Sequence, residues 1–529
     1  MPRRLHCFAL CAFTLAILSA SGVGAQSPPQ VTLNTGILEG IRVPAPKNEV
    51  AFLAVPYAAP PVGNLRWKPP QLPLAWSGTR KAVQFGAACP QLPAGWLPYP
   101  AWNEDCLFLN IWTTSLSTKA ALPVIVYFHG GSNRAGYSQL HPLGTALSPM
   151  GVVVVTANYR LGPFGFLALP ALTAESPHHS SGNYGLLDQI QALKWVRENI
   201  AHFGGDLARI TVMGQSAGAF DICLLMASPL AHGLFHQAIM ESGDCSGTLI
   251  KDIRTPIPYN EISGAGEADG ERLAADLGVM NGPDAIRRLR AIPAETILKT
   301  WSHDQKLEFD AIVDGWVIPD QPAGIFAEGR QAHVPVLVGS NADEATVFAP
   351  GPTTVSDYWK YLREDTGVYA EREFRLWPAA SDVEVPGQYL KLQNAIFAYG
   401  AWSMARAMYR IRDPAYLYLF TWTGVGKRAR LGAFHGEELY FLGDSLPSDW
   451  ISIDGEKRFG ETLRRYWTNF VKSGQPGGPG LPEWPVYDSS SNQIMDLGSR
   501  IQLEPVSSGL HALHEVMQPI LENNGKCSR

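Results

Sequence analysis

The chain has 529 residues, 46% hydrophobic and 17% charged, and its 42 Lys and Arg against 48 Asp and Glu leave a net charge of −6. That balance supports a large buried core and excludes extensive disorder. A slightly acidic chain without a long Lys/Arg run is a poor match to nucleic acid, and no uninterrupted apolar run is long enough to span a membrane.

In chain order, residues 1–25 have the layout of a signal peptide. Arg3 and Arg4 make a positive start, Phe8 to Leu18 an apolar stretch, and Val23-Gly24-Ala25 a small-residue cleavage site. Neither Cys7 nor Cys11 ends a lipobox, so no lipid anchor is indicated. Cleavage after Ala25 leaves a mature chain, 26–529, read as one domain and as secreted or periplasmic. Five cysteines remain: Cys89, Cys106, Cys223, Cys245 and Cys527. No pair has Cys-x-x-Cys spacing and no His cluster stands beside them, which argues against zinc. In an oxidising compartment, two disulfides and one leftover thiol are the simplest arithmetic.

Thr32 to Ile41 alternates around Gly36 and Gly40, as a short hairpin does. Two almost purely apolar runs, 123–128 and 151–156, suit parallel strands buried on both faces. Leu186 to Ile200 carries apolar residues at helical spacing, while Arg209 to Met213, Ala238 to Met240 and Val334 to Gly339 read as further buried strands. Strands alternating with helices predict an α/β fold, a mostly parallel sheet covered on both sides. The helix-rich stretches near 247–318 and 358–407 read as lid or cap insertions.

Chemistry enters at Gly214-Gln215-Ser216-Ala217-Gly218, between a strand and an apolar helical stretch. In that setting Gly-x-Ser-x-Gly is a nucleophile elbow, a tight turn that exposes the serine hydroxyl. Serine needs a base, and the base needs an orienting carboxylate. In the order serine, acid, histidine, Asp343 and Glu344 follow a strand, and His435 comes later in the Gly-rich segment 432–436. Spacing alone leaves Asp343 and Glu344 open. His202, His232 and His333 read as surface or helix-end residues. Phe128-His129-Gly130-Gly131-Ser132, after a buried strand, is a candidate oxyanion loop, since glycines let backbone N–H groups approach a reacting carbonyl. Cys223 lies about two helical turns past Ser216 and shares its face. Cys245 follows the next apolar run, so a Cys223–Cys245 bridge would tie the helix behind the elbow to the adjacent strand's loop. Two buried thiols, or Cys245 paired with Cys527, are the alternatives.

Several blocks are similar to the type-B carboxylesterases, the cholinesterase-like members of the α/β-hydrolase fold. They are Phe52 to Tyr57 with Pro60 to Trp67, Glu104 to Trp112, Asn158-Tyr159-Arg160 through Leu167, Asn183 to Gln189, Phe203 to Asp206 and Trp484 to Tyr487. The resemblance implies Ser216 as nucleophile, Glu344 rather than Asp343 as acid and His435 as base. It implies oxyanion donors on the backbone of Gly131, Ser132 and Ala217, and a disulfide from Cys89 to Cys106. The expected reaction is hydrolysis of a small or polymeric ester through an acyl-enzyme, which needs no cofactor or metal.

Three positions depart from the family pattern. Ser132 replaces a third glycine, Ala345 replaces the glycine after the acid, and Gln215 replaces the glutamate that commonly precedes the nucleophile. Loss of that carboxylate disfavours a choline ester, although Trp96 sits at the spacing of a choline-binding tryptophan. Lys427, Arg428 and Arg430, upstream of His435, raise the option of an anionic ester. The rival reading, an inactive cholinesterase-like adhesion module, fits poorly with all three triad residues being present.

Overall fold

A computed structural model describes residues 27–524, apart from 44–48, 96–99, 257–264, 280–281, 305, 349, 425–428 and 447–454. Residues 1–25, Trp96, Lys427, Arg428 and Cys527 lie outside the described residues.

In chain order the strands are β1 (Gln30–Leu33), β2 (Gly36–Glu39), β3 (Ile41–Arg42), β4 (Val50–Pro56), β5 (Thr79–Lys81), β6 (Phe108–Thr113) and β7 (Leu122–Phe128). They continue as β8 (Val153–Ala157), β9 (Gly205–Gln215), β10 (Gln237–Glu241), β11 (Val336–Asn341), β12 (Ala415–Phe420), β13 (Gln493–Leu497) and β14 (Ile501–Pro505). The expected hairpin is β1–β2, which β5 extends into a small sheet. The other eleven strands form one sheet in the order β14-β13-β12-β11-β10-β9-β7-β8-β6-β4-β3. Every pairing from β8 through β7, β9, β10, β11 and β12 to β13 is parallel. Antiparallel pairs occupy both edges.

The apolar runs explain this arrangement. Alternate residues of a strand point to opposite faces, and in β7 both sets are buried. Val124, Val126 and Phe128 join one hydrophobic core, Ile125 and Tyr127 another. Such a strand requires cover on both sides. The helix Tyr184–Asn199 supplies Leu186, Ile190 and Leu193 to the first core. The helix Gly455–Ser473 supplies Leu463, Trp467 and Phe470 to the second.

Two sequence blocks explain themselves as ion pairs, the first partly and the second fully buried. Arg66 clamps Glu104 through two hydrogen bonds of 2.6 and 2.5 Å, and Arg160 grips Asp188 through two of 2.7 Å. The second pair joins the segment after β8 to the helix Tyr184–Asn199. Disulfides link Cys89 to Cys106 and Cys223 to Cys245. The latter ties the helix Ala217–Ala227 to the segment after β10. The insertions contain the helices Gly266–Asp276 and Ala294–His303, then Val355–Thr366 and Val385–Arg410.

Candidate active site

β9 runs between β7 and β10 and ends at Gln215; the helix Ala217–Ala227 starts one residue after Ser216. Ser216 therefore makes the whole turn, at φ 56° and ψ −127°, a backbone state that costs a non-glycine residue energy. Its N–H donates to the carbonyl of Glu241 at 2.8 Å, and its own carbonyl accepts from Phe220 at 2.9 Å. The flanking glycines are steric necessities. A Cβ on Gly214 would lie 2.5 Å from the carbonyl of Gly218, and one on Gly218 would run into the carbonyl of Phe128.

His435 sits just before the helix Glu437–Leu442, largely buried, with Nδ1 2.5 Å from Oε2 of Glu344. Glu344 opens the turn after β11 and is fully buried. Its Oε1 accepts the N–H of Asn341 at 2.7 Å. The Asn341 side chain in turn donates to the carbonyl of Phe434 at 2.7 Å and to Glu438 at 2.5 Å. Asp343 points elsewhere, accepting the N–H of Ala433 at 2.9 Å. Of the two acids left open by spacing, Glu344 is the one bonded to the imidazole.

A carboxylate accepts, so Nδ1 carries the proton and the neutral ring offers a lone pair at Nε2. The side-chain nitrogen of Gln215 lies 3.1 Å from that Nε2 and donates to it. No hydrogen bond between the Ser216 hydroxyl and His435 occurs in the same geometry. Phe348 and Phe397 flank the ring, with centroids at 5.0 and 5.2 Å. Burial alone would lower the His435 pKa, but the charge and hydrogen bond of Glu344, and then Glu438, outweigh it and raise it. Glu438 is pushed up to about 7 by burial and the neighbouring Glu344 charge, and burial with Glu438 raises Glu241 as well.

The loop after β7 carries Gly131 at φ 122°, Ser132 at φ 55° and Asn133 at φ 52°. A Cβ on Gly131 would run into the carbonyl of Ala135. Ser132 holds a left-handed conformation that glycine adopts more cheaply. The N–H groups of Gly131, Ser132 and Ala217 make no backbone hydrogen bond among the described residues. For Ala217 this follows from its place at a helix start. Ala345 is buried and donates its N–H to Asn394 at 2.9 Å.

Ser132, Ser216 and Ala217 line a cavity of about 310 Å³. Its far wall includes Phe397 and Tyr399 from the helix Val385–Arg410, together with Asp244 and Asp310. Asp244 is pushed up to about 7 by burial, and its Oδ2 has no hydrogen-bond partner among the described residues. Asp310 is exposed and lines the cavity, and desolvation by the surrounding protein raises its pKa. Asn133 spans Asp221 and Asp310 with hydrogen bonds of 2.9 and 2.8 Å. A second cavity, of about 260 Å³, adjoins the other side of Ser132 and contains Arg134. Of the upstream basic cluster, the described Arg430 is exposed. The sequence reading missed Asp244 and Asp310, which carry no motif. It also missed Glu438, although Glu437-Glu438 stands directly after His435-Gly436.

A strained serine on a strand-to-helix turn, at the carboxyl edge of this sheet, defines an α/β hydrolase. The chain belongs to the carboxylesterase family, which matches residues 27–513, and it is a carboxylic-ester hydrolase. It is 36% identical to the fumonisin B1 esterase of Sphingopyxis macrogoltabida, an alignment covering 91% of this chain and 89% of that one. It is 34% identical to the para-nitrobenzyl esterase of Bacillus subtilis, covering 85% and 91%. A solved structure of a PNB esterase superposes with a TM-score of 0.78 at 31% identity, over 92% of this chain and 99% of the other.

Proposed function

We propose that the chain hydrolyses carboxylic esters with Ser216 as nucleophile, His435 as general base and acid, and Glu344 as the orienting carboxylate. The observation that carries the reading is the 2.5 Å bond from His435 to the fully buried Glu344, beside a serine held in a strained elbow. The Ser216 proton moves to Nε2 of His435 as Oγ attacks the ester carbonyl. Glu344 holds the tautomer and stabilises the imidazolium. The N–H groups of Gly131, Ser132 and Ala217 meet the oxyanion, and Ser132 contributes only its backbone there. His435 returns the proton to the leaving alcohol, and water then repeats the sequence on the acyl-enzyme.

The substrate is a small-molecule or polymeric ester. Asp244 and Asp310 in the cavity wall have raised pKa values, so the wall leaves room for neutral groups. The fumonisin B1 and para-nitrobenzyl esters named for the relatives are the first compounds to try. We further read residues 1–25 as a cleaved signal and 26–529 as one exported unit; two disulfides support that compartment. Hydrolysis of a p-nitrophenyl ester panel by wild type and Ser216→Ala tests the assignment. Activity should vanish in the variant with the circular dichroism unchanged; a variant that still turns over refutes it. A wild type inert towards every ester would instead favour the binding-module reading.

A further inference from the structure

Gln215 occupies the last position of β9 and is almost completely buried, at 6% exposure. Its amide is boxed between two glycines. A Cβ on Gly130 would come within 3.0 Å of its Oε1, and one on Gly436 within 3.4 Å of its Nε2. The nitrogen lies 3.1 Å from ring Nε2 of His435, while Glu344 holds Nδ1 from the opposite side. The imidazole is gripped at both nitrogens, and its basic lone pair is already in use.

The side chain at this position decides which state of the base is favoured. An amide nitrogen donates to the lone pair of a neutral imidazole and so favours the uncharged ring. A carboxylate only accepts, and so favours the charged ring. Building on the reading of His435 as base, we propose that Gln215 is its positioning residue. The amide N–H occupies the Nε2 lone pair in the resting site and cedes it to the Ser216 hydroxyl when an ester binds. The proton bookkeeping is unchanged: Ser216 Oγ–H passes its proton to Nε2 as the Oγ–acyl bond forms, and Nε2 passes it to the departing alkoxide oxygen. The consequence is a base that stays neutral, and an esterase that keeps working, at lower pH than a glutamate at this position would allow.

The other ionisable groups about His435 are Glu344 after β11, Glu438 on the following helix and Glu241 beyond it at the end of β10. Asp343 lies on the side bonded to Ala433, and Phe348 and Phe397 close the remaining faces. None of these changes in a position-215 variant, so differences between variants read Gln215.

The test is the pH profile of kcat/KM on a p-nitrophenyl ester for wild type, Gln215→Glu and Gln215→Ala. Nitrogen NMR titration of the His435 ring reads the same ionisation without turnover. Gln215→Glu places a charge in contact with the ring and should move the acid limb up by about one pH unit or more. Below the limb, that is roughly a tenfold further loss of rate at a given pH. Gln215→Ala removes a donor to the neutral ring without adding charge and should move the limb upward by less. If the glutamate variant does not fold, the alanine variant carries the test. Identical limbs in all folded proteins, or a downward shift with glutamate, overturn the inference. A wild type with no acid limb and a non-titrating His435 overturns instead the assignment of the base.

Discussion

On the serine side of the site, five contiguous residues do the positioning. Ser216 is pinned at φ 56° because Gly214 and Gly218 let the strand end and the helix start touch, backbone against backbone. On the imidazole side nothing is contiguous. Glu344 and His435 lie on separate loops, joined through the N–H and side chain of Asn341 and set against the buried acids Glu438 and Glu241. The first arrangement is steric and indifferent to proton concentration. The second is polar, and its energy depends on which carboxyls are charged. Damage to the two sides should therefore differ in kind.

The largest effect is expected on the polar side. Glu344→Gln leaves the fold intact but lets the imidazole adopt the wrong tautomer, so kcat should fall on the order of 10⁴-fold. A loss below tenfold on a p-nitrophenyl ester would mean that Glu344 does not orient the base. On the steric side, Gly218→Ala drives a methyl into the Phe128 carbonyl, where neither backbone can easily yield. Its cost should be on the order of 3 kcal/mol in denaturant stability and much the same at pH 6 and pH 8. A loss that grows with acidity would erase the contrast between the two halves.

The mildest probe is pH itself. Glu344 and Glu438 outweigh burial and raise the His435 pKa above the ordinary 6.5. In the proposed role of base the imidazole works only when neutral, so kcat/KM should rise with pH through an apparent pKa above about 6.5, with roughly tenfold loss per pH unit below it. A profile flat from pH 5 to pH 8 would remove His435 from the role.

The same contrast explains what the sequence could tell. The elbow is legible because its five residues are adjacent and sit between a strand and a helix. The centre of the sheet is legible because 123–128 and 151–156 are apolar on both faces. One helix period and one neighbouring strand favour a Cys223–Cys245 bridge but leave two thiols or a Cys245–Cys527 pair open, and the structure contains the bridge. Asp343 against Glu344 is not decidable by spacing: both occupy the turn after β11, and only the turn's path aims one at His435 and the other at Ala433. The cavity wall is illegible for a related reason. Asp244, Asp310 and Tyr399 come from segments without a common period, brought together by the insertions. Gln215 is an intermediate case. Its missing charge is plain in the sequence, while its hydrogen bond to the base depends on a loop more than two hundred residues away.

The proposed mechanism requires Ser216 Oγ to be the atom that takes the acyl group. The direct measurement is peptide mass spectrometry after reaction of the folded protein with a fluorophosphonate, in wild type and in His435→Ala. One adduct should appear, on the peptide containing Ser216, and its formation should slow sharply when the imidazole is removed. An adduct on any other residue, or an unlabelled Ser216 in protein that still hydrolyses esters, would contradict it.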